Sequence, residues 1–392
     1  MENTSEIILN PKALAFNLDF LRREMGPEVQ ISSVVKGNAY GHGIQAFVPL
    51  AEKLGIRHFS VFSTGEAARV NEVLKDQTSE IMIMGDIAPG ELQWVIKSGF
   101  SFFVFDMARL REAIRVAIDL GIPARLHIEL ETGMNRTGFT HIAVTKEVIP
   151  FLLANKDHFT LSGICTHFAG AESIANYLRI ERQQKRFIKT RKTFLEAGLL
   201  PKHTHTCCSA AAIRLVKMRF NLVRIGILQY GFWPSPEIKI EYLRYNKLPD
   251  FNLHRVITWK SRLMSVKKVA MGEFIGYGNS YQASEDMLVG IVPVGYSNGY
   301  SRTLSNSGRV LIRGVRTTVL GNVNMNSFVI SLQQVRDAQV GDEVVLIGTE
   351  DNLEISVASF GELSNQLNYE LLTRLPMDIP RISSFQNEET KA

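Results

Sequence analysis

The stretch SFFVFDMARLREAIRVAIDLGIPARLHIELE, residues 101–131, decides the fold of the first half of this 392-residue chain. It opens on an apolar run, Ser101–Phe105, of the right length for one buried strand. Asp106 then caps an amphipathic stretch running to Leu120. Within it Leu110, Ala113, Ile114, Ala117 and Ile118 recur on one face at helical spacing, and Gly121 ends it. A second apolar run, Ala124–Glu131, follows. Strand, helix and strand in this order make a parallel βαβ unit.

The alternation continues on both sides of that unit. Upstream lie strand-like runs at Ile31–Lys36, His58–Ser63 and Glu80–Met84; downstream lie Thr160–His167, His203–Cys207 and Leu222–Ile227. With Ser101–Phe105 and Ala124–Glu131 they predict a closed (β/α)8 barrel rather than an open doubly wound sheet. After Tyr230 the pattern changes. A stretch with Pro234, Pro236 and Pro249 reads as a connector. Beyond it, Val256–Val266, Met287–Val294, Arg309–Leu320, Ser327–Leu332 and Glu343–Ile347 read as strands of a mostly antiparallel β domain. The expected fold is therefore α/β: a barrel domain over residues 1–235, then a β domain over 236–392. The early run Glu6–Leu9 fits either domain.

Composition excludes several classes. With 45% hydrophobic and 21% charged residues the chain has enough apolar matter for full cores. Its net charge of +5 is spread among nearly equal numbers of acids and bases, which is the pattern of a solvated surface rather than a nucleic-acid binder. Cys165, Cys207 and Cys208 are too few and too awkwardly spaced for a disulfide framework or a zinc site, so no metal is expected. The opening MENTSEIILNPKAL lacks the basic and apolar regions of a secretory signal, and no apolar run is long enough to span a bilayer. A cytoplasmic protein without membrane or nucleic-acid partners is expected.

Chemistry gathers at one rim. In such a barrel the active site lies at the C-terminal ends of the strands. Lys36, Arg136, His167, Ser209 and Arg224 all fall at or near those ends, which predicts a site for an anionic ligand. A lysine at the barrel mouth has its pKa lowered by burial, and a less protonated amine can attack an aldehyde. Taken singly, each residue also has a plainer reading. Lys36 can snorkel, His167 can be a satisfied core histidine, Arg224 can pair with Glu172, and Tyr277 and Tyr281 can merely flank a glycine-rich turn.

The motifs taken together are more specific. SSVVKGNAYGHG at 32–43 resembles the cofactor-lysine motif of alanine racemases, which are fold-type III pyridoxal-phosphate enzymes. The resemblance continues in order through ETGMNRTGF (131–139), THFAGAE (166–172), HTCCSAA (205–211), RIGILQYGFWPS (224–235), IGYGNSY (275–281), VPVGYSNGY (292–300) and GNVNMNS (321–327). It implies pyridoxal 5'-phosphate as cofactor, a small amino acid as substrate, and a homodimer whose sites borrow residues from the partner's β domain. It implies that Lys36 binds the cofactor and works on one face of the substrate, with Tyr277 of the other subunit on the opposite face. Tyr40, Ser209, Gly226 and Ile227 match positions that hold the phosphate. Arg224 matches the residue facing the ring nitrogen, and His167 the histidine holding that arginine. Arg136, Met325 and Tyr296 match the substrate-binding set.

The chain also departs from the family pattern. Many relatives carry a carbamylated lysine where this chain has Glu129, whose own carboxylate is expected to orient Arg136. Asn324 and Asn326 flank Met325 in place of Cys and Asp, Cys208 replaces a frequent Asn, and Thr373 aligns with a frequent tyrosine. These changes keep open a broader-specificity racemase. A fold-type III decarboxylase or aldolase is disfavoured because its acidic partner to the ring is here Arg224. A non-catalytic cofactor carrier is disfavoured because that family lacks the β domain.

Overall fold

A computed structural model of the protein describes residues 3–357 and 368–384; the expected end of the second domain, at residue 392, lies outside these. The chain divides into two compact units. One comprises Leu14–Lys36 and Val48–His254. The other comprises the stretch through Ala13, Gly37–Phe47, and the stretch from Arg255 onward.

The first strand, β1 (Ser5–Leu9), belongs to the second unit. The first unit is built on β2 (Gln30–Val34), β3 (His58–Val61), β4 (Glu80–Ile83), β5 (Ser101–Val104), β6 (Ala124–Glu129), β7 (Phe159–Cys165), β8 (His203–His205) and β9 (Leu222–Ile225). All pair in parallel in the order β8-β7-β6-β5-β4-β3-β2-β9. The two end strands then meet: Arg224 N–H donates to the Cys207 carbonyl, just past β8, at 2.9 Å. The result is a nearly closed eight-stranded barrel, as the alternation predicts. Its helices follow from local sequence. Met107–Leu120 is capped by Asp106, which accepts from Arg109 N–H at 2.8 Å, and ends at Gly121 with φ 64°. Leu110, Ala113, Ile114 and Ala117 are buried as expected. Ile118, at the margin of the apolar stripe, is 50% exposed, and Val116 is buried on the opposite margin. Where a connector was expected, Pro236–Asn246 is helical, with Ser235 as its cap and Pro236 in its first turn.

The second unit is a mostly antiparallel sheet. Its strands are β1, β10 (Ile257–Arg262), β11 (Ser265–Val269), β12 (Met287–Val292), β13 (Arg309–Ile312), β14 (Val315–Leu320), β15 (Phe328–Ser331), β16 (Glu343–Glu350), β17 (Leu353–Ile355) and β18 (Arg381–Ser383). Their order among the described residues is β11-β12-β15-β14-β13-β16-β10-β1-β18, with β17 on β16. β1 thus joins this sheet, antiparallel to β10 and parallel to β18. Two expected single strands are each split. Arg309–Leu320 folds as a hairpin because Arg313 (φ 49°) and Gly314 (φ 71°) form a two-residue turn with both residues left-handed. Val256–Val266 breaks between β10 and β11, which join different neighbours.

Among the described residues no helix is long and apolar enough to cross a membrane, and no group of His, Cys, Asp or Glu could hold a metal ion. All three cysteines are free thiols; Cys165 and Cys207 are buried and Cys208 is half-buried.

Candidate active site

Parallel strands aim their C-terminal ends at one rim of the barrel, and that rim carries the cations. Lys36 lies two residues past β2, Arg136 in the loop after β6, His167 two residues past β7, and Ser209 opens the helix after β8. Arg224 lies within β9 and is buried. Lys36 is reached by solvent but ringed by protein. Partial burial pushes its pKa down, and the neighbouring guanidiniums of Arg136 and Arg224 push the same way. Among the described residues its amine has no hydrogen-bond or ion-pair partner. His167 is pushed down to about 3, first by burial and then by Arg224, Arg136 and Lys36. The rim therefore gathers Lys36, Arg136 and Arg224 around a neutral imidazole, with Glu66 as the opposing charge on Lys36. A cluster of basic groups like this favours an anionic ligand.

Two expected partnerships are corrected. His167 does not hold Arg224; His205, at the end of β8, does. Arg224 Nη1 hydrogen-bonds the Nδ1 of His205 and, at 3.0 Å, the His205 carbonyl, while Nη2 donates to the Thr166 carbonyl at 2.8 Å. These partners also leave no role for Glu172. The sequence cannot show which ring reaches Arg224, because β8 adjoins β9 only through barrel closure. Similarly, Glu129 is buried but forms no ion pair with Arg136. Its Oε2 accepts from Thr137 Oγ1 at 2.7 Å. Burial raises the Glu129 pKa, and Thr137, Arg136 and Arg224 oppose that rise. Arg136 acts on it through space, with its own side chain exposed. His205 and Thr137 are thus site residues that sequence reasoning missed. The signal for His205 was HTH at 203–205, two imidazoles on one face of a barrel strand.

The next strand ends form a cradle of neutral donors. Ser209 Oγ accepts from Gly226 N–H at 3.0 Å, which ties the helix after β8 to the end of β9. Cys208, at the N-cap of the helix Ser209–Arg214, makes no side-chain cap bond. Ile227 is buried, and its N–H meets no acceptor among the described residues. Unpaired N–H groups of this kind suit a phosphate.

The remaining expected residues lie in the second unit. Tyr40 lies in a run of left-handed backbone, and its ring lies 6.0 Å from that of Tyr369. Thr373, one turn further along that helix, packs its methyl against Gly37. Tyr277 stands at a hairpin tip bounded by Gly276 and Gly278 and is 75% exposed, with its carbonyl held by Asn322 Nδ2 at 2.8 Å. Tyr296 N–H donates to the Asn324 carbonyl at 3.0 Å, and Ser297 donates twice to the Met325 carbonyl, so these loops are locked together. Tyr277, Tyr296 and Met325, all exposed, thereby share one edge of the unit.

A nearly closed α/β barrel with a lysine of lowered pKa and an anion cradle on its rim, continued by a β domain, defines a class of enzymes that work on small anionic substrates at a reactive amine. Residues 9–234 match the alanine racemase N-terminal domain and residues 256–383 the alanine racemase C-terminal domain. The chain belongs to the alanine racemase family. It is 32% identical over 382 residues to the alanine racemase of Leptospira interrogans serovar copenhageni, covering 97% of this chain and 95% of that one. It is 30% identical to alanine racemase 1 of Caldanaerobacter subterraneus, covering 94% and 92%. Among solved structures it is similar to alanine racemase from Bacillus anthracis with bound L-Ala-P, at a TM-score of 0.88 and 28% identity, covering 98% and 95%.

Proposed function

We propose that the protein interconverts L- and D-alanine with pyridoxal 5'-phosphate, as a cytoplasmic homodimer with shared sites. The observation that carries this reading is the rim itself: an unpartnered amine with lowered pKa amid Arg136, Arg224 and a neutral His167. The residues present fit the cofactor. Lys36 would hold its aldehyde carbon. Ser209 and Ile227, joined by Tyr40, would hold the phosphate through hydroxyl and N–H groups, while Gly226, whose N–H is given to Ser209 Oγ, would fix that hydroxyl in place. When bound, the cofactor makes the α-hydrogen of an amino acid acidic by drawing electrons through the amino nitrogen.

The protein's part is proton traffic. Racemisation removes a proton from one face of the α-carbon and returns one to the other, so two carriers must flank it. Lys36 Nζ would serve one face and the Tyr277 hydroxyl of the other subunit the opposite face. Arg136, Met325 and Tyr296 would orient the substrate carboxylate. Arg224 would face the ring nitrogen, and a guanidinium, which keeps its proton in proteins, gives that nitrogen none. A weaker electron sink limits side reactions and argues against a decarboxylase. Asn324 and Asn326 beside Met325 make L-serine and L-lysine worth testing along with L-alanine.

Complementation tests this reading. Lys36→Ala and Tyr277→Phe chains should each lose racemisation, by ~10²–10⁴-fold for the acid–base group. Mixed after subunit exchange, they should regain it, with D-alanine measured by chiral chromatography. No recovery in verified mixed dimers would refute the shared site, and an active Tyr277→Phe chain would remove Tyr277 from the mechanism.

A further inference from the structure

Inside the barrel, beneath the rim, a second imidazole stands behind the one that holds Arg224. Arg224 Nη1 donates to His205 Nδ1, so that nitrogen carries no proton and the His205 proton must sit on Nε2. His205 Nε2 lies 2.8 Å from His127 Nδ1, and only one direction of donation remains, from His205 to His127. Burial holds both rings neutral by pushing their pKa values well below the usual histidine range. Phe103 on β5 flanks the pair, its ring 6.1 Å from His127 and 5.8 Å from His205.

A second observation points the same way. Gly163 on β7 is aligned between His127 on β6 and His203 on β8. Its backbone is not left-handed, so no turn requires glycine there. A Cβ at this position would fall 2.3 Å from His127 Nδ1 and 3.1 Å from His205 Nε2, on the two atoms that share the bond. The strand between the rings has given up its side chain to let them meet.

We propose that His127 is a positioning residue: by accepting the Nε2 proton of His205 it fixes that ring's tautomer, so that Nδ1 always faces Arg224 as an acceptor. Without it, His205 could carry its proton on Nδ1, and would then confront the guanidinium donor to donor. Arg224 would turn away from the ring nitrogen it is proposed to face. The inference rests on the function proposed above, but the state of the His205 ring can be read without cofactor or substrate.

The experiment has two readouts. Two-bond ¹H–¹⁵N correlation spectra of the cofactor-free protein should show His205 as the single Nε2–H tautomer. His127→Leu should mix the tautomers. Gly163→Ala, which crowds the bond without removing either ring, should do the same and keeps the test alive if the Leu variant folds poorly. Racemisation by the loaded enzymes should show kcat down about tenfold in both, with KM for alanine within about threefold. His127→Asn, whose Oδ1 can stand in for Nδ1, should stay within about threefold of the parent in kcat. A parent His205 found as Nδ1–H or doubly protonated overturns the relay. Mixed tautomers with unchanged kcat overturn the positioning role. A parent with the expected tautomer that racemises no alanine overturns the functional reading, and the positioning role with it.

Discussion

A carboxylate enclosed in a barrel wall must find a donor, and Glu129 finds it in the hydroxyl of Thr137, eight residues on, at 2.7 Å. Sequence placed Glu129 in the right strand and near the right arginine, because strand ends follow from the apolar pattern. It could not show that the bond goes to Thr137 and only the field goes to Arg136, since that depends on how the loop after β6 turns back. The distinction has consequences. Glu129→Gln keeps an oxygen for Thr137 but removes the charge that acts on Arg136 and Arg224, and kcat/KM should fall about tenfold. Thr137→Val leaves the charge and removes the bond. Burial already raises the Glu129 pKa and the Thr137 bond holds it down, so losing the bond lets it rise further. The carboxylate would then protonate at higher pH, and the acid limb of the activity profile should move up. A limb that stays in place in Thr137→Val would show that ionised Glu129 does not limit the rate. That His205 is the ring that reaches Arg224 was illegible for a related reason: pairing across a barrel seam leaves no trace in local periodicity.

Between single residues and whole units stands the segment after Lys36. The glycines of KGNAYGHG announce a turn, but not its kind. Gly37, Asn38, Ala39, Tyr40 and Gly41 are five consecutive residues with positive φ, at 62°, 54°, 55°, 51° and 78°. Non-glycine residues lose roughly 1–2 kcal/mol each in that region, so the turn must be held from outside. Asn38 Oδ1 accepts from Ile44 N–H at 3.0 Å, and the His42 ring bonds the carbonyls of Ala39 and Tyr40 at 3.1 and 3.0 Å. Arg381 donates to the Gly41 carbonyl through Nε and Nη2 at 3.2 and 3.1 Å. A Cβ on Gly41 (φ 78°) would lie 1.9 Å from the Leu372 carbonyl oxygen, backbone that cannot yield. Gly41→Ala should therefore cost at least ~2 kcal/mol and lower the melting temperature by several degrees. Ala39→Gly, two residues away, should stay within ~1 kcal/mol of the parent, because relief of the left-handed penalty offsets the greater freedom of the unfolded chain. Similar melting temperatures for the two variants would mean that the turn is not constrained in this way. The helix Met107–Leu120 was readable in its cap, its stop and most of its stripe, Ile118 and Val116 excepted; this turn was not, because Ala39 and Tyr40 carry no local sign of positive φ.

At the scale of the molecule, the switch from alternating strands and helices to strands alone was legible, and so was the barrel. That β1 joins the second sheet was not, since its pairing with β10 (Ser5 with Ser261) spans most of the chain. Folding so many strand ends inward also encloses imidazoles, and this sets how the protein responds to acid. Six of the nine histidines, His42, His58, His127, His167, His203 and His205, have lowered pKa values with burial as the first cause, to about 4 for His42 and about 3 for His58 and His167. In the unfolded chain each titrates near 6.5. Above that pH both states are neutral and these rings leave stability unchanged. As pH falls below it the unfolded chain binds protons that the folded chain refuses, so stability is lost steadily down towards pH 3–4. Each fully buried ring costs on the order of 1–2 kcal/mol by pH 5, against a typical total of ~5–15 kcal/mol. Glu129 acts in the opposite sense, since its raised pKa means that the folded state takes up its proton first, but it is one group against six. The urea midpoint should accordingly drop sharply between pH 7 and pH 5, well before most carboxylates titrate. His58→Asn should flatten that slope by about one proton. His58 is a suitable probe because it lies in the barrel interior, its Nδ1 bonded to Ser32 Oγ at 2.8 Å, and is not among the residues proposed to touch substrate or cofactor. A midpoint that holds level from pH 7 to pH 5 would mean that the folded chain admits protons to these rings without opening, and the burial argument would fail.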